Sequence, residues 1–234
     1  MRERGEGFTL VELLVVISII ALLIAILLPA LAAVRGQAVR THCQANLRSI
    51  HQVFHAYGAD YRNQVPLGYR GGRKQWNTMV YSGTAEIFVL FGRLYPAGHM
   101  DGPEAFYCPA ETSPGQKFNT EENPWPPGPD GDPGANVQGG YASRPIIDWG
   151  WDELPPRMPR LDDLRNEAVF ADTAGIPARL DSRHDTGVHV LYGDSAVRWV
   201  EREAFNEPLE ASPEIDPAHN DRQREIWEIF DQQR

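Results

Sequence analysis

The chain has 234 residues and a formal net charge of -10, and only Lys74 and Lys117 are lysines, so arginine carries nearly all the positive charge. That length holds one membrane segment plus one ordinary domain, and the part after residue 35 is long enough to bury a core of its own. A phosphate-tracking surface needs a basic stripe, and with no dense Lys/Arg cluster present no nucleic-acid partner is expected.

The first element is "GFTLVELLVVISIIALLIAILLPALAAV", residues 7–34. From Leu13 to Val34 it carries no charge and a single hydroxyl, Ser18, and about 20 such residues suffice for a helix to cross the ~30 Å hydrocarbon layer. Arg2 and Arg4 precede it while Arg35, Arg40 and Arg48 follow it, so flanking charge does not fix its orientation. Pro29 lies inside the run, where a helix loses one hydrogen bond. Glu12 stands near its start, and a carboxylate at mid-membrane costs roughly 3 kcal/mol unless it reaches the interface or finds a partner. A cleaved export signal is one reading, since "ALA" at 30–32 has the small-x-small pattern, but the run is longer than the ~7–15 apolar residues of such signals. A plain anchor explains the hydrophobicity and leaves Glu12 unexplained.

The apolar pattern continues past the span. Cys43, Leu47, Ile50, Phe54 and Tyr57 recur at spacings of four and three, which places them on one face of a continuing helix. A helix from Phe8 to Tyr57 is roughly 75 Å long, more than twice a membrane thickness, so its outer half lies against a soluble domain, with Gly58 as the expected stop. His51 and His55 sit one turn apart without a nearby third ligand and are read as boundary histidines. The adjacent His42 and Cys43 diverge on a helix.

In the soluble part, "LFGRLYP" reads as a short helix closing at Tyr95. Residues 112–160 are crowded with Pro and Gly and read as a long surface loop; Asp130 and Asp132 in it lack the ligand run of a calcium loop, and Pro133 stiffens it. Strands are expected at 167–174 and in the hairpin of 187–200, with Val188, Val190 and Tyr192 on one face and a turn at Gly193, Asp194 and Ser195. Ile226, Trp227, Ile229 and Phe230 mark a short amphipathic helix in a tail of residues 201–234, docked on the domain or on a partner. The two cysteines, Cys43 and Cys108, are too few for a disulfide framework. They can form one bridge in an oxidising compartment, pinning the domain to the helix.

The motif "GFTLVELLVVISIIALLIAILLPAL" resembles the N-terminus of type IV pilins and type II secretion pseudopilins: a short leader ending in Gly, then Phe, then Glu at the fifth mature position. The resemblance implies a leader of residues 1–7, cleavage between Gly7 and Phe8 by a prepilin peptidase, methylation of the new amine, and Pro29 at the twenty-second mature position. It also implies that Glu12 neutralises the amine of a neighbouring subunit during assembly, two buried charges becoming tolerable as a pair. Downstream, "CQANLRSIHQVFHAYGADYRNQVP", "RLYPAGHMDGPEAFYCP", "GGYASRP", "VFADT" and "RHDTGVHVLYGDSAVRWV" are similar to the pieces of pilin-like proteins with the H-X9-DG processing-associated region. His184 and Asp194 match that region's His and Asp; an extended segment at about 3.3 Å per residue separates them, so they are expected to lie far apart and to act structurally. Ser195 stands where the region has Gly, which weakens the case for a glycine conformation at the turn.

The expected fold is therefore α+β and pilin-like: a long N-terminal helix, membrane-spanning in its first half (8–34) and continuing over 35–58, packed against a small antiparallel β-sheet domain of residues 59–200. The expected partners are the prepilin peptidase, other pilin or pseudopilin subunits and the inner membrane, with the domain on the extracytoplasmic side. No cofactor, metal or catalytic residue is expected. The contrasting possibility is an anchored or exported carbohydrate-binding or hydrolytic domain, with Trp76, Trp125, Trp149 and Trp151 as a sugar surface. Against hydrolysis, the sequence has no G-x-S-x-G, no H-E-x-x-H and no paired-cysteine metal spacing.

Overall fold

The computed structural model describes residues 9–100, 102–128, 134–150, 155 and 157–234. Gly7, Phe8, Asp130, Asp132, Pro133 and Trp151 lie outside them. The chain forms two compact units, the first reaching Thr41 and the second running from His42 to Arg234.

One helix, α1 (Leu10–Asp60), enters both units. In the first unit its described side chains are exposed from Thr9 to Ala38, including Leu10, Leu14, Ile17, Leu22, Ile26 and Leu31. Among the described residues nothing covers this apolar surface, and such a surface fits a membrane-anchoring segment. The helix is the one among the described residues long and apolar enough to span a bilayer. Pro29 is accommodated within it.

In the second unit α1 turns amphipathic. Cys43, Leu47, Ile50, His51, Phe54, Tyr57 and Gly58 are buried, the stripe expected from the spacing. The helix runs two residues beyond Gly58, which is itself buried within it. It is closed instead by Arg62 and Asn63, both left-handed at φ 56° and 65°, with the Asn63 amide returning to the Gly58 carbonyl at 2.7 Å. The stop is thus made by a left-handed Asn after the helix rather than by the glycine.

Two antiparallel sheets complete the α+β fold. The smaller has the order β2-β1-β3, built from β1 (Met79–Ser82), β2 (Ile87–Phe88) and β3 (Val137–Gln138). The larger has the order β4-β5-β6-β7, from β4 (Tyr141–Ser143), β5 (Ala168–Asp172), β6 (Gly187–Tyr192) and β7 (Val197–Glu201). Between β2 and the cysteine Cys108, "LFGRL" forms a 3-10 helix, Leu90–Leu94, capped at Tyr95.

Residues 112–160 are not simply a surface loop, because they supply β3 and β4, and β4 is buried along its whole length. The Pro/Gly-rich stretch is held by the buried Asn123, whose amide donates to the carbonyls of Lys117 (3.0 Å) and Gln138 (2.9 Å) and whose Oδ1 accepts from the Gln138 amide (2.8 Å). One side chain thus replaces a missing strand as partner for the backbone. Gly140 admits β4 at all: a Cβ there would sit 3.0 Å from Tyr107 Cα and closer still to the Cys108 amide.

Every residue of β6 is buried, so the sheet is covered on both faces. On one face Phe170 packs edge-on against Phe54 of α1, ring centroids 5.3 Å apart, and the Tyr141 hydroxyl donates to the Cys43 carbonyl at 3.3 Å. On the other, Val188, Val190 and Tyr192 meet Phe205, Leu209, Ile226, Trp227 and Phe230. Those last residues come from α3 (Asn206–Glu210), its approach, and α4 (Asn220–Gln232). The segment after residue 200 therefore belongs to the core. Asp231 anchors it, accepting from the two terminal Arg144 guanidinium nitrogens at 2.8 Å and from the Ala168 amide at 2.8 Å. A bulge in β5 between Ala168 and Phe170 lets Ala168 and Ala171 face α4 while Phe170 and Asp172 face α1.

Candidate functional site: the helix start and the disulfide cluster

At the start of α1, Glu12 Oε2 accepts from the Thr9 amide (2.8 Å) and the Thr9 hydroxyl (2.7 Å), and Thr9 Oγ1 accepts from the Glu12 amide (3.2 Å). This reciprocal pair is a capping box, satisfying two of the amides that a helix start leaves without partners. Its signal, Thr-x-x-Glu at 9–12, stands in the sequence, and sequence reasoning aimed at membrane charge passes over it. Glu12 thus has a partner within its own chain. Farther along, the Ser18 hydroxyl donates to the Leu14 carbonyl at 2.7 Å, so the only hydroxyl of the apolar run is also satisfied internally.

In the second unit, Cys43 of α1 and Cys108 form a disulfide, Cα atoms 5.3 Å apart, across 65 residues. Both cysteines are buried, and Asn46 reinforces the junction by donating to the Tyr107 carbonyl at 2.9 Å. His184 does not lie with Asp194. Its Nε2 is 3.3 Å from Cys108 Sγ and 3.4 Å from Asp172 Oδ2. The same carboxylate oxygen accepts from the His189 amide (2.7 Å) and faces His189 Nδ1 (2.9 Å). His184, His189 and Trp199 stack edge to face with centroids 4.9–5.6 Å apart. Cys43, Cys108, Asp172 and His184 are therefore one buried group drawn from α1, the segment before β3, the end of β5 and the loop entering β6.

Beside this group lies a buried ion pair between Arg183 and Glu111. Arg183 also donates to the Thr173 carbonyl (3.2 Å) and Gln116 Oε1 (2.7 Å), and Glu111 Oε1 accepts from the Ser113 amide (2.6 Å). Burial lowers the Arg183 pKa, opposed by the charges of Glu111 and Asp172. Burial and the neighbouring Arg183 charge bring Arg179 down to about 10. Its guanidinium donates to the Gln75 carbonyl at 2.9 Å.

Asp194 sits at the other end of β6. It accepts from Arg234 at 2.8 Å and from the Ala196 amide at 3.1 Å, and the Arg234 hydrogen bond lowers its pKa. The next residue, Ser195, is left-handed at φ 76°. The turn takes the conformation that favours glycine, with serine accommodated in it. His51, His55, Gly193, Asp194 and Ser195 line one shallow cavity of about 430 Å³. Trp149 is buried and donates to the Leu67 carbonyl at 3.0 Å, whereas Trp125 packs against Phe88, Tyr95 and Phe118. Trp76 is half-buried with the Arg73 guanidinium over its ring at 4.8 Å.

Residues 4–28 match the family model described as the prokaryotic N-terminal methylation motif. No curated protein and no solved structure matches the chain. The match supports a type IV pilin-like protein and, with the long apolar helix, fits membrane anchoring.

Proposed function

We propose that the chain is a prepilin-like, non-enzymatic subunit, cut between Gly7 and Phe8 by a prepilin peptidase and assembled through α1 into a type IV pilus or a type II secretion pseudopilus. What carries this reading is the exposed, all-round apolar surface of α1 from Leu10 to Val34, combined with the methylation motif over residues 4–28. Such a surface is satisfied first by lipid and then by the same helix of other subunits. Before assembly the subunit is a single-pass protein of the inner membrane, and its domain faces the extracytoplasmic side. The buried Cys43–Cys108 bridge supports that side, because disulfides persist in oxidising compartments. Glu12 then meets the methylated amine of an adjacent subunit, and His184, Asp194 and Pro29 act structurally.

The mature N-terminus, read by mass spectrometry from the membrane fraction, tests this. A chain beginning at Phe8 with one added methyl group is expected. A chain beginning at Ala33 would make the apolar segment a discarded export signal and end the filament reading.

A further inference from the structure

The buried group at the disulfide has more polar capacity than the bridge uses. Asp172 Oδ2 is taken by His189, yet Asp172 Oδ1 is buried with no hydrogen-bond partner among the described residues. Leaving a carboxylate oxygen so placed is costly. The same carboxylate shares its surroundings with an imidazole nitrogen and two sulfurs, all four ligand atoms lying within 4.8 Å of one another.

We propose that Cys43, Cys108, His184 and Asp172 form a zinc site in the reduced chain, exclusive of the disulfide. Zinc prefers four tetrahedral S, N and O ligands, and its bond lengths of about 2.0–2.3 Å set ligand-to-ligand edges of about 3.3–3.8 Å. Two edges already have that length: Cys108 Sγ to His184 Nε2 at 3.3 Å and His184 Nε2 to Asp172 Oδ2 at 3.4 Å. The four ligand atoms lie within 4.8 Å of one another, so the remaining edges need only small adjustments, and reduction of the disulfide frees the two sulfurs to separate. Binding exchanges two thiol protons, released to solvent, for one Zn2+ held by two thiolates, a carboxylate and a neutral imidazole. His189 orients the carboxylate from behind, as outer partners of metal ligands do. Because the ligands come from α1, the segment before β3, β5 and the loop before β6, metal and disulfide close the same core by alternative chemistry. The inference stands apart from filament assembly.

The test uses the untagged full-length chain in detergent. It is reduced with a phosphine in denaturant and refolded under argon with Zn2+ or Co2+, and compared with the oxidised chain. Retention of about one metal per reduced chain after gel filtration is expected, with none on the oxidised chain. X-ray absorption should give two sulfur and two N/O ligands, and the Co2+ form a thiolate charge-transfer band. His184→Gln with Asp172→Asn should weaken retention at least about tenfold. No retained metal, equal retention by the oxidised chain, or a ligand shell without two sulfurs overturns the proposal. If the double variant does not refold, the wild-type ligand count decides alone.

Discussion

His51 and His55, one turn apart on α1, bring their Nε2 atoms to 3.1 Å, and His51 Nε2 also faces the Gly193 carbonyl at 3.4 Å. One proton between the two Nε2 atoms satisfies the pair with both rings neutral, and a second would set two N–H donors against each other. Burial and the neighbouring His55 both lower the His51 pKa. The fold therefore holds His51 neutral, while the unfolded chain takes up a proton as pH falls through the ordinary histidine value of about 6.5. Below that pH the unfolded state binds more protons, so this contribution is present at neutral pH and lost in acid. Thermal unfolding of wild type and His55→Gln between pH 7.5 and 5 checks it: wild type should lose more stability on acidification than the variant.

The Cys43–Cys108 bridge closes a 65-residue separation between α1 and the segment leading to β3. Chain-entropy arguments assign a loop of that length about 4 kcal/mol. The double variant Cys43→Ser, Cys108→Ser should be destabilised by roughly that amount in denaturant unfolding with a chelator present. A loss below about 1 kcal/mol would mean that the packing of Leu47, Ile50 and Phe54 holds α1 to the sheet unaided.

Ser195 sits at φ 76° in the turn between β6 and β7. A non-glycine residue in the left-handed region carries a strain of about 1–2 kcal/mol, partly offset because glycine loses more backbone freedom on folding. Ser195→Gly should therefore stabilise the domain by about 0.5–1 kcal/mol, seen as a raised Tm, and Ser195→Val should destabilise it.

On the outer face of the larger sheet, Trp227 and Phe230 of α4 are buried with ring centroids 5.6 Å apart, and the Tyr192 hydroxyl donates to the Phe230 carbonyl at 2.7 Å. Phe230→Ala should cost about 3–5 kcal/mol, measured by urea unfolding, whereas Glu228→Ala on the exposed side should change stability by less than about 0.5 kcal/mol.

Much of this was readable where one chain segment carries its own pattern. The spacing from Cys43 to Tyr57 shows the buried stripe of α1, the alternation from Val188 to Tyr192 shows β6, and Ile226, Trp227 and Phe230 show α4. Strands as short as β3 and β4 have no room for a period to emerge, and the surrounding Pro and Gly outweigh them. That Asn123 could stand in for a strand partner depends on where Gln138 arrives. The neighbours of His184 were beyond reach for a related reason. Cys43, Cys108, Asp172 and His184 meet only because four elements converge, and the nine-residue interval to Asp194 draws attention to a residue at the far end of β6.

Glu12 offers the sharpest separation of two roles. Within its own chain it closes a capping box with Thr9, and in the proposed filament it neutralises a neighbour's amine. Glutamine serves in a capping box as glutamate does but carries no charge. Glu12→Gln should therefore preserve the helix start and membrane insertion while cutting filament incorporation at least tenfold, equivalent to roughly 1.4 kcal/mol or more of pairing. Thr9→Ala does the opposite, removing the cap hydroxyl at a cost of about 1 kcal/mol while leaving the carboxylate free to pair. The check is fractionation of both variants into membrane-inserted and sheared-filament pools. If Glu12→Gln assembles normally and Thr9→Ala does not, the carboxylate is a helix cap and the charge-pairing role is wrong.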